Sequence, residues 1–131
     1  MMYREPSDSP WGLVVRCDTL CPGVYSVSTA GHGGIMAQID AARQLLSLEA
    51  QQVGFQAGGY LNFEEDCDVP VVLRELMDSG IIAPRTDNYF RPGEYEACID
   101  RSLQHWNPAY WQARQKRLSV REAKAAKERE R

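Results

Sequence analysis

The spacing of apolar and polar positions changes character along the chain. Residues 12–18, Gly-Leu-Val-Val-Arg-Cys-Asp, and 24–29, Val-Tyr-Ser-Val-Ser-Thr, are β-branched runs bounded by turn residues, which predicts two strands. Leu20-Cys21-Pro22-Gly23 predicts the turn between them, with Pro presetting φ and Gly free to take positive φ, so the two strands pair as a hairpin. Along the second strand Val24, Ser26 and Ser28 share one face and Tyr25, Val27 and Thr29 the other. Ala30–Gly34 is expected to be loop, because its glycines lose more freedom on ordering than any other residue. A third short strand is expected over Tyr60–Phe63.

Elsewhere the spacing turns helical. Ile39, Ala42, Leu45, Leu46 and Leu48 recur near a helical period, and Ser47 is placed to cap a further turn that Gly54 stops. Gly58-Gly59 breaks the chain. Asp68 is a candidate cap for a helix over 71–77, with Pro70 in its first turn and Gly80 at its C-terminal end. A helix over 95–105 carries Tyr95, Cys98, Ile99, Leu103 and Trp106 along one face. Asn107-Pro108 then caps another that runs from Ala109. Beyond Leu118 strong helix formers persist without an apolar stripe, which predicts a frayed, solvated helix. The order of elements implies an α+β fold: a small antiparallel sheet of about three strands packed with three or four helices. Residues 1–117 form the domain, and 118–131 a charged helical or disordered tail.

A chain of 131 residues, 44% apolar and 25% charged, suits one globular domain with a real core. No apolar run approaches the ~20 residues of a membrane span, and the N-terminal residues do not resemble a secretory signal. A cytoplasmic location without membrane contact is therefore expected. In that compartment Cys17, Cys21, Cys67 and Cys98 read as free thiols, since Cys17-x-x-x-Cys21 has no second close pair to complete a zinc site.

Charge adds a polarity to this picture. Residues 1–113 hold 7 Arg and no Lys against 15 Asp and Glu, a net of −8, whereas 114–131 hold 8 Lys and Arg against 3 Glu, a net of +5. An acidic body repels a phosphate backbone, so nucleic acid could be reached only through the tail, Arg114–Arg131.

Three phrases carry a resemblance: Pro10-Trp11-Gly12, then Val27-Ser28-Thr29-Ala30-Gly31-His32-Gly33-Gly34-Ile35, then Glu64-Glu65-Asp66-Cys67-Asp68. Together they resemble a small, functionally uncharacterised domain family of bacterial plasmids, phages and integrative elements. The likeness is firmest from Trp11 to about Asp68, and the basic tail is expected to lie outside it. The resemblance implies an accessory protein of a mobile element and brings no activity with it.

Two segments are candidates for chemistry. His32, with Gly33 and Gly34 beside it, reads as a general base, a metal ligand or a neighbour of anion-binding amides, or simply as part of a tight connection. Glu64, Glu65, Asp66 and Asp68 crowd negative charge that a cation, a partner's Arg or Lys, or a helix N-terminus would relieve. If that stretch is extended, Glu64, Asp66 and Asp68 point together and Glu65 and Cys67 the other way. The aromatic set Trp106, Tyr110, Trp111, Tyr89, Phe90 and Tyr95 has acidic neighbours, which favours core packing or a protein interface over nucleotide stacking. Three functions follow: a non-enzymatic protein whose acidic body docks on a basic partner, a small metal-dependent hydrolase using His32 and the 64–68 cluster, or a nucleic-acid accessory acting through the tail. The first is preferred, with interference in a host defence or nucleic-acid-processing complex as one form of it. His32, Gly33, Gly34, Glu64, Glu65, Asp66 and Asp68 are then interaction residues, and no catalytic residue, metal or cofactor is expected.

Overall fold

The computed structural model describes residues 3–130. Two strands, β1 (Asp8–Ser9) and β2 (Gly12–Leu13), pair in a small hairpin. A five-stranded antiparallel sheet follows from β3 (Arg16–Cys21), β4 (Val24–Ser28), β5 (Gly33–Gln38), β6 (Phe55–Ala57) and β7 (Tyr60–Glu64), in the order β3-β4-β5-β7-β6. Helices α1 (Ile39–Leu45) and α2 (Leu48–Val53) lie between β5 and β6, and α3 (Val69–Asp78), α4 (Glu94–Trp106) and α5 (Pro108–Arg129) follow the sheet. The fold is α+β, with a larger sheet and more helices than the sequence predicts. No helix among the described residues is long and apolar enough to cross a membrane.

Two corrections concern the sheet. The strand expected over 12–18 is two strands, because the chain changes partner at residues 14–15: the Val14 N–H still donates to Ser7 beside β1, at 3.1 Å, while the Val15 N–H donates to Ser28 of β4, at 2.8 Å. The expected loop at Ala30–Gly34 is only the four-residue connection Thr29–His32, closed by the Thr29 N–H donating to the His32 carbonyl at 2.7 Å. Gly33 and Gly34 instead begin the central strand and are buried. That strand is covered on both faces, so it shows no alternation to read. Its glycines are sterically required: a Cβ at Gly34 would collide with the Phe63 carbonyl and the Trp11 ring, and one at Gly33 would sit 2.5 Å from the Val27 carbonyl.

One face of the sheet presents Val24, Ile35, Ala37, Leu61 and Phe63 to the helices, where Val71, Val72, Leu76 and Leu103 complete a core that is 0% exposed at all four helical positions. The other face presents Tyr25, Val27 and Met36 to the N-terminal segment, whose Tyr3, Trp11 and Val14 lie across it as a strap. The split of β4 into a Val24 face and a Tyr25/Val27 face is as the alternation predicts.

Local signals are mostly realised. Ser47 caps α2 by accepting the Ala50 N–H at 3.1 Å, and Gly54 follows its end. Gly58 and Gly59, φ +60° and +83°, make the two-residue turn of the β6–β7 hairpin. Gly80, φ +73°, closes α3 with bonds from its own N–H to Met77 and from Ile81 N–H to Leu76. Asp68 and Asn107, by contrast, do not cap their helices: Asn107 Nδ2 donates to the Cys67 carbonyl (2.8 Å) and Asp68 Oδ1 (3.2 Å), tying the starts of α3 and α5 together. On α4 the buried line is Ile99 and Leu103 with Tyr95 partly buried, while Cys98 and Trp106 are exposed. α5 runs unbroken through residue 118, its first half packed through Tyr110, Trp111 and Arg114. Arg131 lies outside the described residues.

Candidate functional site

At one end of the sheet the β4–β5 turn and the turn after β7 meet, because Gly34 pairs with Glu64 across β5 and β7. The Glu65 N–H continues that ladder to the Gly33 carbonyl at 3.2 Å. Across this junction His32 Nδ1 stands 3.7 Å from Glu65 Oε1, and one ligand-type atom each of His32, Glu65 and Asp66 lie within 4.8 Å of one another. His32 is held through its backbone, its N–H donating to Thr29 Oγ1 (3.1 Å) and its carbonyl accepting from the same hydroxyl (2.6 Å). The two segments singled out in the sequence are therefore one surface.

The expected alternation within the acidic stretch fails, because residues 65–68 are turn rather than strand. Glu65 joins Asp66 and His32. Glu64, exposed, accepts a weak contact from Cys67 Sγ at 3.8 Å, and half-buried Asp68 is taken up by Asn107. Gly33 and Gly34 shape this end from below rather than offering a surface. A Cβ at Gly33 would stand 3.0 Å from Glu65 Oε2, so the missing side chain is what lets Glu65 fold back over the strand. No Arg or Lys among the described residues makes an ion pair with Glu64, Glu65, Asp66 or Asp68. Burial, followed by the Asp68 and Glu64 charges, raises the Cys67 thiol, which makes it a poor nucleophile for an acyl-transfer site. Burial and Glu5 likewise push the Cys17 thiol up to about 11.

A second polar cluster, absent from the sequence reading, joins α3 to α5. Glu75, 6% exposed, accepts from the Ser47 N–H (2.5 Å), the Tyr110 hydroxyl (2.7 Å) and Arg117 Nη2 (3.1 Å). Arg114 forks onto Asp78 at 2.7 and 3.0 Å, and Arg74 stands 3.2 Å from Asp100 and 3.6 Å from Asp78. Burial, then the bond to Glu75, raises the Tyr110 phenol far above its ordinary range. Bonding to Asp78 holds Arg114 charged against the cost of burial. An open groove of about 370 Å³ lies over this cluster, lined by Ser47, Glu75, Asp78, Arg117 and Arg121 among others. Glu75 and Asp78 are already satisfied by the chain's own donors, so the cluster serves to tie α3 to α5. Tyr110, Arg114, Arg117 and Arg121 recur at helical spacing, a signal that marks one face of α5 as facing the body.

The family model described as "Domain of unknown function (DUF7007)" matches residues 4–131. The chain belongs to that family. The match takes in the basic tail, which the resemblance had placed outside. No curated protein and no solved structure matches the chain. The family thus contributes kinship without an activity, and the geometry alone must carry a functional reading.

Proposed function

We propose that the chain is a non-enzymatic interaction protein whose acidic end, Glu64, Glu65 and Asp66 beside His32, docks on a basic surface of a protein partner. One observation carries this: these carboxylates are exposed and have no Arg or Lys counterion among the described residues, whereas Glu75, Asp78 and Asp100 are paired with Arg117, Arg114 and Arg74. Exposed, uncompensated charge on a rigid turn steers and orients a complementary partner. The mobile-element resemblance supports an accessory role, with interference in a host defence or nucleic-acid-processing complex as its form. The bacterial cytoplasm is the matching location. Nucleic acid itself is a weaker partner, since Arg114 and Arg117 of the basic segment are spent on Asp78 and Glu75.

The test is capture of host proteins on the immobilised chain, followed by titration of the recovered partner at low and high salt. Glu64→Lys with Glu65→Lys is expected to weaken binding and flatten its salt dependence. Binding unchanged by the double reversal overturns the reading.

A further inference from the structure

His32, Glu65 and Asp66 differ from an ordinary acidic turn in combining an imidazole with two carboxylates on two separately anchored segments. We propose that these three side chains bind a divalent transition-metal ion of the Mn²⁺ or Zn²⁺ class. The ligand-type atoms already lie within 4.8 Å of one another. Metal–ligand bonds near 2.0–2.2 Å place donors roughly 3–4 Å apart, a contraction that exposed side chains make by small rotations. The mixed nitrogen and oxygen set suits a transition-metal ion, which accepts an imidazole beside carboxylates, better than Ca²⁺ or Mg²⁺, which take oxygen throughout.

Three further features point the same way. The backbone of His32 is fixed by Thr29 and that of Glu65 by Gly33, so the segments that carry two of the ligands are set before the ion arrives. Gly33 leaves open the space that Glu65 Oε2 occupies next to His32. Asp66 has no hydrogen-bond or ion-pair partner among the described residues, and the uncompensated charge of the turn matches a divalent cation. The remaining coordination positions face solvent, so the ion keeps water or accepts a ligand from outside. This inference goes beyond the docking reading and does not depend on it. It also replaces the expectation, drawn from sequence, that no metal binds.

Titration of Mn²⁺ into the full chain tests it; Mn²⁺ is chosen because the four free thiols would compete for Zn²⁺. Calorimetry is expected to show one site, and Mn²⁺ to broaden the ring resonances of His32 while leaving those of His105, the other histidine, sharp. His32→Ala and Asp66→Asn should each weaken binding by about tenfold or more, whereas Glu64→Gln, outside the ligand set, should keep it. No binding with Mn²⁺ in large excess, equal broadening of both histidines, or binding indifferent to His32→Ala overturns the site. None of these results touches the docking reading, which is read from Glu64→Lys with Glu65→Lys and salt. Partner binding unchanged by Glu64→Lys with Glu65→Lys, beside Mn²⁺ binding by the parent chain, would remove that reading and leave the metal site standing.

Discussion

Glu75 and Asp78 on α3, and Glu64, Glu65 and Asp66 just before it, are near neighbours in the chain in opposite circumstances. Glu75 is buried, the Asp78 side chain is only 26% exposed, and both are neutralised by arginines from α5; the second group stands in solvent with a single histidine for company. The contrast shows that a chain's net charge says little about where its field emerges. Arg114 and Arg117 are counted with the basic tail but act as counterions of the body. Drawing the line after residue 117 leaves 10 Lys and Arg against 15 acidic residues, −5, and a tail of 5 against 3, +2. The polarity is milder than the sequence implies, and Glu64, Glu65 and Asp66 at one end of the sheet are among the carboxylates it leaves without an arginine or lysine partner.

Four experiments would break or sharpen this contrast. The largest effect is expected for Glu75→Ala, which strips the acceptor from Tyr110, Arg117 and the Ser47 amide. Breaking a buried pair costs about 3–5 kcal/mol, read as a lower urea midpoint; a loss as small as at a surface site would erase the distinction between the two groups. Gly34→Ala should cost about 1–3 kcal/mol by overpacking against Trp11 and Phe63, while Gly31→Ala, in open space within the same motif, should stay within about 0.5 kcal/mol. Similar costs at both would mean that Trp11 does not clamp the central strand. Removing residues 119–131 should move the melting midpoint by no more than about a degree or two, since among the described residues of that stretch only Ala125 and Ala126 are even half-buried. A drop of several degrees would show the tail packing on the body. The smallest effect is expected for Glu64→Lys with Glu65→Lys, within about 0.5 kcal/mol of the parent stability or slightly above it, because the reversal relieves repulsion among exposed charges. Marked destabilisation would show that these carboxylates hold the fold.

What the sequence made legible was local. Ser47, Gly58-Gly59 and Gly80 act within a turn of their own position, and each does what its residue type predicts. The central strand β5 escaped because its pattern answers to two faces at once, Ile35 toward the helices and Met36 toward the strap, and because its glycines answer to Trp11 and Phe63 far along the chain. The Glu75 cluster escaped for a related reason: its donors come from Ser47, Tyr110 and Arg117, and only the folded helices bring them together. At the candidate site both segments could be named from the sequence. Their meeting depended on the Gly34–Glu64 register, which no local pattern encodes.

The N-terminal strap has a consequence for how the domain is made. Residues 3–14 leave the ribosome before Tyr25, Val27 and Met36, against which Tyr3, Trp11 and Val14 pack, and before Phe55, which meets Trp11 edge-on at 6.2 Å. The segment must wait for the β4–β5–β7 core to assemble before it has anything to lie on. A piece added last onto a finished sheet is also the piece that lifts first, so the amides of β1 and β2 should exchange with solvent before those of β4 and β5.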